Sequence, residues 1–232
     1  KSVFRHQGFN LEAFGEEWCS YMAGYKGYVD KATKETLENI DAGKPFPDCG
    51  SHSSDFGGAA RIAPLLYYHR NEDRLLQAVR NQTALTHNNP SVLTGAETLA
   101  KITFKVLGGD SPREAVRHTL AEGVDDIDLD MKIRAAYDTT GKNSRETLKE
   151  FGLACSISSA MAGMIHLVCT YENDFETALI ENVMAGGDSA ARGLGAGMIL
   201  GAHNGLRSIP IEWLGDMRAN ADIMEMLEGD DV

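Results

Sequence analysis

The sequence predicts an all-α fold. Apolar residues recur at helical spacing through nearly the whole chain, runs of alternating β-branched residues are scarce, and probable helix starts carry capping residues. Residues 9–41 read as one or two helices with Leu11, Phe14, Trp18, Tyr21, Met22 and Tyr25 on an apolar face. Gly43 followed by Pro45 ends them. Residues 45–56, rich in Pro, Gly, Ser and Asp, form a loop. Further helices are predicted over 58–69, 72–85, 90–107, 112–122, 128–137, 155–170, 174–184 and 190–203. Asn89-Pro90 and Ser111-Pro112 each place a capping side chain before a proline in the first helical turn, and Asn173 or Asp174 caps the helix that follows. The acidic run Asp125, Asp126, Asp128 and Asp130 lacks the glycine and terminal glutamate of a calcium loop and reads as a solvated helix start. No repeat and no linker-like stretch interrupts the chain, so residues 1–232 read as one compact domain.

With 43% hydrophobic residues, the 232-residue chain can bury a single large core. The balance of 22 Lys and Arg against 34 Asp and Glu gives a net charge of −12, which argues against a general nucleic-acid binder. A phosphate-bearing ligand stays compatible with that charge, because backbone N–H groups or a metal ion can meet it. Cys19, Cys49, Cys155 and Cys169 lack zinc or disulfide spacing and read as reduced thiols. The most apolar run, 161–169, is too short to span a bilayer, and a cytoplasmic location is expected. Oligomeric state leaves no trace in the sequence.

The most informative segment is GGDSAARGLGAGMILGAHNG, residues 186–205. Two glycines interrupt a helical pattern, Asp188 and Ser189 can cap the next helix, and glycines then recur at 193, 197, 201 and 205. Four-residue spacing places them on one helical stripe, where a neighbour can approach closely. A carboxylate at such a helix start is favoured by the macrodipole and turns its free oxygens outward, towards a cation or a ligand hydroxyl.

This segment, with IPIEWL at 209–214, resembles the C-terminal signature of the ADP-ribosylglycohydrolases, GGD-[ST]-D-[ST] followed by a Gly/Ala-rich helix and a Pro-x-x-Trp turn. GGAARIAPL at 57–65 and ALTHNNP at 84–90 are similar, in the family's order, to its G-[AG]-x-M-R-[IV]-A-P and T-H-x-x-P blocks. The resemblance implies a compact multi-helix domain whose N-terminal segment, with a T-D-D-T motif, precedes Lys1. It also implies hydrolysis of an N- or O-glycosidic bond of ADP-ribose or a related glycoside, assisted by one or two Mg²⁺ ions. Asp188 corresponds to the first metal ligand of the C-terminal turn. Ala190 and Ala191 replace the oxygen-bearing residues that follow, and Arg192 stands beside them.

Ser53, Ser54, Asp55, Gly57 and Gly58 match the loop that contacts the ligand, where N–H groups can meet phosphate; an ordinary Asx or Ser/Thr turn is the competing reading. His87 matches the ligand-side histidine, and Arg61 reads as a buried ion-pair partner. His52, His166 and His203 read as packing or surface residues. The partner implied is an ADP-ribose-like small molecule or an ADP-ribosylated substrate, with no nucleic acid and no membrane. The alternative is a non-catalytic member, a binder or a crystallin-like structural protein, in which Arg192 pairs with Asp188 in place of the lost cation.

Overall fold

The computed structural model describes residues 1–228. Helices follow one another as α1 (Ser2–Arg5), α2 (Leu11–Ala23), α3 (Lys31–Asp41), α4 (Gly57–Ala60), α5 (Ala63–Tyr68), α6 (Glu72–Ala84), α7 (Pro90–Leu107) and α8 (Pro112–Glu122). They continue as α9 (Ile127–Tyr137), α10 (Ser144–Phe151), α11 (Ile157–Thr170), α12 (Phe175–Ala185), α13 (Ser189–Asn204), a 3₁₀ turn (Leu206–Ser208), α14 (Ile211–Asp216) and α15 (Asn220–Glu228). Among the described residues, the β-structure amounts to two isolated bridges, Ser51 with His87 and Asp55 with Ser156. None of these helices is long and apolar enough to cross a membrane.

Asx caps start most of the long helices. Asn10, Asn71, Asn89, Asp126, Asn143 and Asp174 each accept a backbone N–H from the first turn, and Ser111 with Glu114 forms a reciprocal capping box. The acidic run at Asp126 is thus a helix start, as expected. The single helix expected over 58–69 is broken into α4 and α5. Pro64 lacks an N–H, and its ring would meet the Ala60 carbonyl in a continuous helix. Helix α10 was not anticipated, because its eight residues carry too few apolar positions to show a period. The apolar face expected on the N-terminal helices is only partly buried: Leu11, Phe14, Trp18 and Met22 are half-covered, Tyr21 is 67% exposed, and Gly15 is the buried position of α2. Helix α2 lies at the periphery, where the Phe46 ring fills the space a side chain at Gly15 would need.

The core is organised around α11 and α7. Helix α11 is apolar on every face and is packed by α8, α9, α10 and α13, while α7 is packed by α4, α6, α8 and α13. His166 lies within α11, fully enclosed. Thr139 gives its proton to the Ala136 carbonyl (2.6 Å), so its oxygen accepts from His166 Nδ1 at 2.8 Å. Nε2 is left as an acceptor facing Ser144 Oγ at 2.9 Å, which lies 3.0 Å from the Tyr171 phenol. Burial, followed by the charge of Lys142, holds His166 down to about 4.

The glycine stripe of α13 faces α12 and fits closely there at Gly193, where a Cβ would lie 3.0 Å from Asn182 Nδ2, but the tightest fit is elsewhere. A Cβ at Gly197 or Gly201 would make ordinary contacts of 3.9 Å with Leu179 and Phe175. At Gly195 it would run into Met164 Sδ and lie 3.3 Å from Phe56 Cζ. Gly195, off the stripe, is where α13 closes on α11.

Two outcomes follow for stability. Gly195→Ala should destabilise by about 1–3 kcal/mol through overpacking, whereas Gly197→Ala and Gly201→Ala should gain up to about 1 kcal/mol of helix propensity; chemical denaturation measures both. His166 is harder to protonate when folded than in the unfolded chain, where its pKa is about 6.5. Its stabilising contribution is therefore complete above about pH 6.5 and is lost as pH falls through about 4, on the order of 3 kcal/mol in all. Calorimetry from pH 7 to 4 should show the melting temperature falling, with a shallower fall in His166→Gln.

Candidate functional site

Four segments of irregular chain lie side by side across the ends of the helices. Ser51 donates its N–H to the Thr86 carbonyl (3.1 Å), joining the loop before α4 to the end of α6. Phe56 donates to Cys155 O (2.8 Å) and Ile157 to Ser54 O (2.7 Å), joining the same loop to the start of α11. Asp188 donates to Leu153 O (3.0 Å), bringing in the turn before α13. The result is a ridge carrying His87, Ser53–Asp55, Cys155 and Asp188. The structure thus assembles the predicted residues from three distant motifs.

The 51–58 loop is held by a ladder of side-chain turns. Ser51 Oγ accepts from Ser53 N (3.3 Å), Ser53 Oγ from Asp55 N (3.2 Å), and Asp55 Oδ1 from Gly57 N (2.8 Å). The expectation that this loop offers a set of N–H groups to phosphate is therefore corrected: those of Ser53, Asp55 and Gly57 are already taken. Along 51–58, Ser54 alone keeps a backbone N–H without a partner. Ser54 also borders a polar cleft of about 190 Å³ that it shares with Asn89, Ser91, Asp126, Ser156 and Ser158. That is room for one ring or one phosphate group, below the ~300–1,000 Å³ usual for a ligand pocket.

His87 is 5% exposed and packs on Gly58, where a Cβ would come within 2.7 Å of its Nδ1. Burial, then the Arg61 charge, lowers its pKa to about 4, so the ring is neutral at pH 7. Arg61 does not form the expected ion pair. It donates to Thr86 Oγ1 and, with the Gln82 amide in the orientation that satisfies both groups, to the Gln82 oxygen at 2.7 and 3.2 Å. The side chains that line it offer neutral oxygens, and the charge of Asp30 acts on it only through space.

At the C-terminal turn, Gly186 and Gly187 both take left-handed φ, +79° and +67°. A side chain at Gly187 would in addition strike the Leu153 carbonyl that Asp188 N uses. Asp188 occupies the cap position of α13, yet its carboxylate bonds no N–H of that helix, is half-buried and has no hydrogen-bond partner among the described residues. Those oxygens are free to accept from a ligand. Cys155 lies between the two carboxylates. A hydrogen bond to Asp55, then burial and the charges of Asp55 and Asp188, raise its thiol pKa. Nothing in the cysteine spacing pointed to this position; it follows from where the α10–α11 connection crosses the ridge.

Arg192 does not pair with Asp188. Its side chain is fully buried and runs inward over Gly163 of α11, where a Cβ would lie 3.0 Å from its Cδ. Nε donates to Asn182 Oδ1 (3.0 Å), and Nη2 to Gly186 O (2.7 Å) and Asn182 O (3.3 Å). Asn182 in turn donates to Ser189 O (2.8 Å). The guanidinium thus braces the Gly186–Ser189 turn from beneath. The inward course was hidden from the sequence because it depends on the space left by Gly163.

A Mg²⁺ site needs several oxygen ligands around one point. Here Asp188 and Ser189 are followed by Ala190 and Ala191, with a cation under the turn. Among the described residues, no three His, Cys, Asp or Glu side chains gather closely enough to hold a metal ion. The donor set of residues 1–228 does not by itself fit such an ion.

The defining pattern of the ADP-ribosylglycohydrolases matches residues 1–230. The chain belongs to the ADP-ribosylglycohydrolase family. Crystallin J1B of Tripedalia cystophora is 20% identical, over 97% of this chain and 73% of its own length. An uncharacterized protein of Archaeoglobus fulgidus is 26% identical, over 97% of this chain and 74% of its own. In fold, the chain superposes on an ADP-ribosylglycohydrolase-related protein complex with a TM-score of 0.74 at 22% identity, covering 97% of this chain and 74% of that one. The all-α ADP-ribosylglycohydrolase architecture is as expected from the motifs, and a crystallin stands among the relatives.

Replacing Arg192 should loosen this turn. Arg192→Met would leave the Asn182 and Gly186 oxygens without their donor, costing about 2–4 kcal/mol. Arg192→Lys should recover little of it, since an ammonium cannot reproduce the Nε–Nη2 fork. Thermal melts of both variants check this.

Proposed function

We propose that this ADP-ribosylglycohydrolase-family chain binds an ADP-ribose-type glycoside along the ridge and hydrolyses its N- or O-glycosidic bond. The supporting observation is the convergence of His87, Ser54 and the unpartnered Asp188 carboxylate on one ridge built from three separate motifs. In this reading Asp188 accepts ribose hydroxyls directly, the Ser54 N–H meets a phosphate oxygen, and His87 contributes a neutral contact. Asp55 and Asp188 are the carboxylates available to orient a water molecule. No step is assigned to Mg²⁺. Four free thiols suit a reducing compartment such as the cytoplasm.

A second reading, a non-catalytic binder or structural protein, is favoured by Ala190, Ala191 and the buried Arg192, and by the crystallin relative.

One experiment separates them. The chain is incubated with an ADP-ribosylated protein, with Mg²⁺ and with EDTA, and released ADP-ribose is measured alongside calorimetry with free ADP-ribose. The hydrolase reading expects release, and Asp188→Asn should weaken ADP-ribose binding about 10- to 100-fold, the loss of charged hydrogen bonds. Binding without release in either buffer supports the binder, and neither binding nor release leaves a structural protein.

A further inference from the structure

We infer that Arg61 and Thr86 act as positioning residues that fix the tautomer of His87, so that its Nε2–H is a permanent donor on the ridge. The proton count carries this. Arg61 has only N–H groups to offer, so Thr86 Oγ1 accepts from it. The hydroxyl proton of Thr86 must then go elsewhere, and the acceptor-capable atom within reach is His87 Nδ1 at 2.9 Å. Were Nδ1 protonated, two donors would point at one hydroxyl oxygen and the hydroxyl proton would have no acceptor. Nδ1 is therefore the lone-pair nitrogen, and in the neutral ring the proton sits on Nε2.

The relay is rigidly held. Thr86 is 1% exposed, and its carbonyl accepts from Ser51 N (3.1 Å) and Ser51 Oγ (3.0 Å), with Thr36 Oγ1 packed against it at 3.1 Å. The ring is seated directly on Gly58, in the space any side chain there would fill. Among the described residues Nε2 has no hydrogen-bond partner, and it is not one of the fully covered unpartnered atoms, so it is open to an acceptor.

The charged groups acting on the ring are Arg61 from the α4–α5 junction, which disfavours protonation, and Asp55 and Asp30, which favour it more weakly. With burial added, the ring stays neutral down to about pH 4. His87 is thereby kept from serving as a cation or as a proton acceptor at Nε2 near neutral pH. It suits a ligand oxygen, and the identity of that ligand rests on the reading proposed above.

Histidine ¹⁵N NMR on the full chain without ligand tests the tautomer directly. The expected result is a lone-pair shift at His87 Nδ1 and a protonated shift at Nε2, unchanged from pH 8 to 6. Thr86→Val, close in shape but without the hydroxyl, should mix the tautomers and weaken ADP-ribose binding about five- to tenfold, the size of one hydrogen bond. Thr86→Ser, which restores the hydroxyl, should recover both. Wild-type protein protonated at Nδ1, or a Thr86→Val chain with the wild-type tautomer, overturns the inference, and the wild-type spectrum decides even if the valine variant does not fold. A chain with the expected tautomer that binds no ADP-ribose supports the relay and overturns the ligand proposal instead.

Discussion

Polar backbone outside helices must find partners or face water, and in this protein that requirement builds the site. The segments that carry His87, Asp55, Cys155 and Asp188 are not in secondary structure, so each needs its N–H and C=O groups met by another segment. Single backbone bonds do this: Ser51 to Thr86, Phe56 to Cys155, Ile157 to Ser54, and Asp188 to Leu153. The ridge is held together by the same bonds that keep its loops from being orphaned. Its helices supply the rigid ends, and α11, buried on every face, is the surface to which the others are referred.

Charge is arranged with the same economy. The half-buried Arg61 and the buried Arg192 both bond to neutral oxygens, Arg61 to Thr86 and Gln82, and Arg192 to Asn182 and Gly186. Neither neutralises a carboxylate of the ridge, so Asp188 keeps its full capacity as an acceptor. A guanidinium beneath the turn still contributes positive potential to Asp188 without touching it. Arg192 therefore organises the backbone under the carboxylate and leaves the carboxylate itself to solvent or ligand.

Much of this was legible in the sequence. Asx and Ser caps marked the starts of α7, α8, α12 and α13 to within a residue or two, because capping chemistry is local. The glycine-rich turn was legible as a turn, and its two left-handed residues explain why glycine stands there. Long-range consequences were not legible. The stripe at 193, 197, 201 and 205 looked like the site of close packing, yet of these Gly193 alone is tightly covered, and the strictest demand falls on Gly195, set by Met164 and Phe56 from elsewhere in the chain. Arg192 and Arg61 looked like ion-pair residues because charge is visible in a sequence and the direction of a side chain is not. Cys155 gave no signal, since its neighbours Asp55 and Asp188 come from separate parts of the chain.

The bonds that form the ridge also bear on when it appears. Phe56 and Cys155 are separated by on the order of 100 residues, and contacts so distant in sequence form only after much of the intervening chain has been ordered. A partly folded intermediate can hold native-like α6–α7 or α12–α13 pairs and still lack the ridge entirely. Any molecule that recognises this surface therefore distinguishes the finished fold from its precursors, and by mass action it stabilises the former alone.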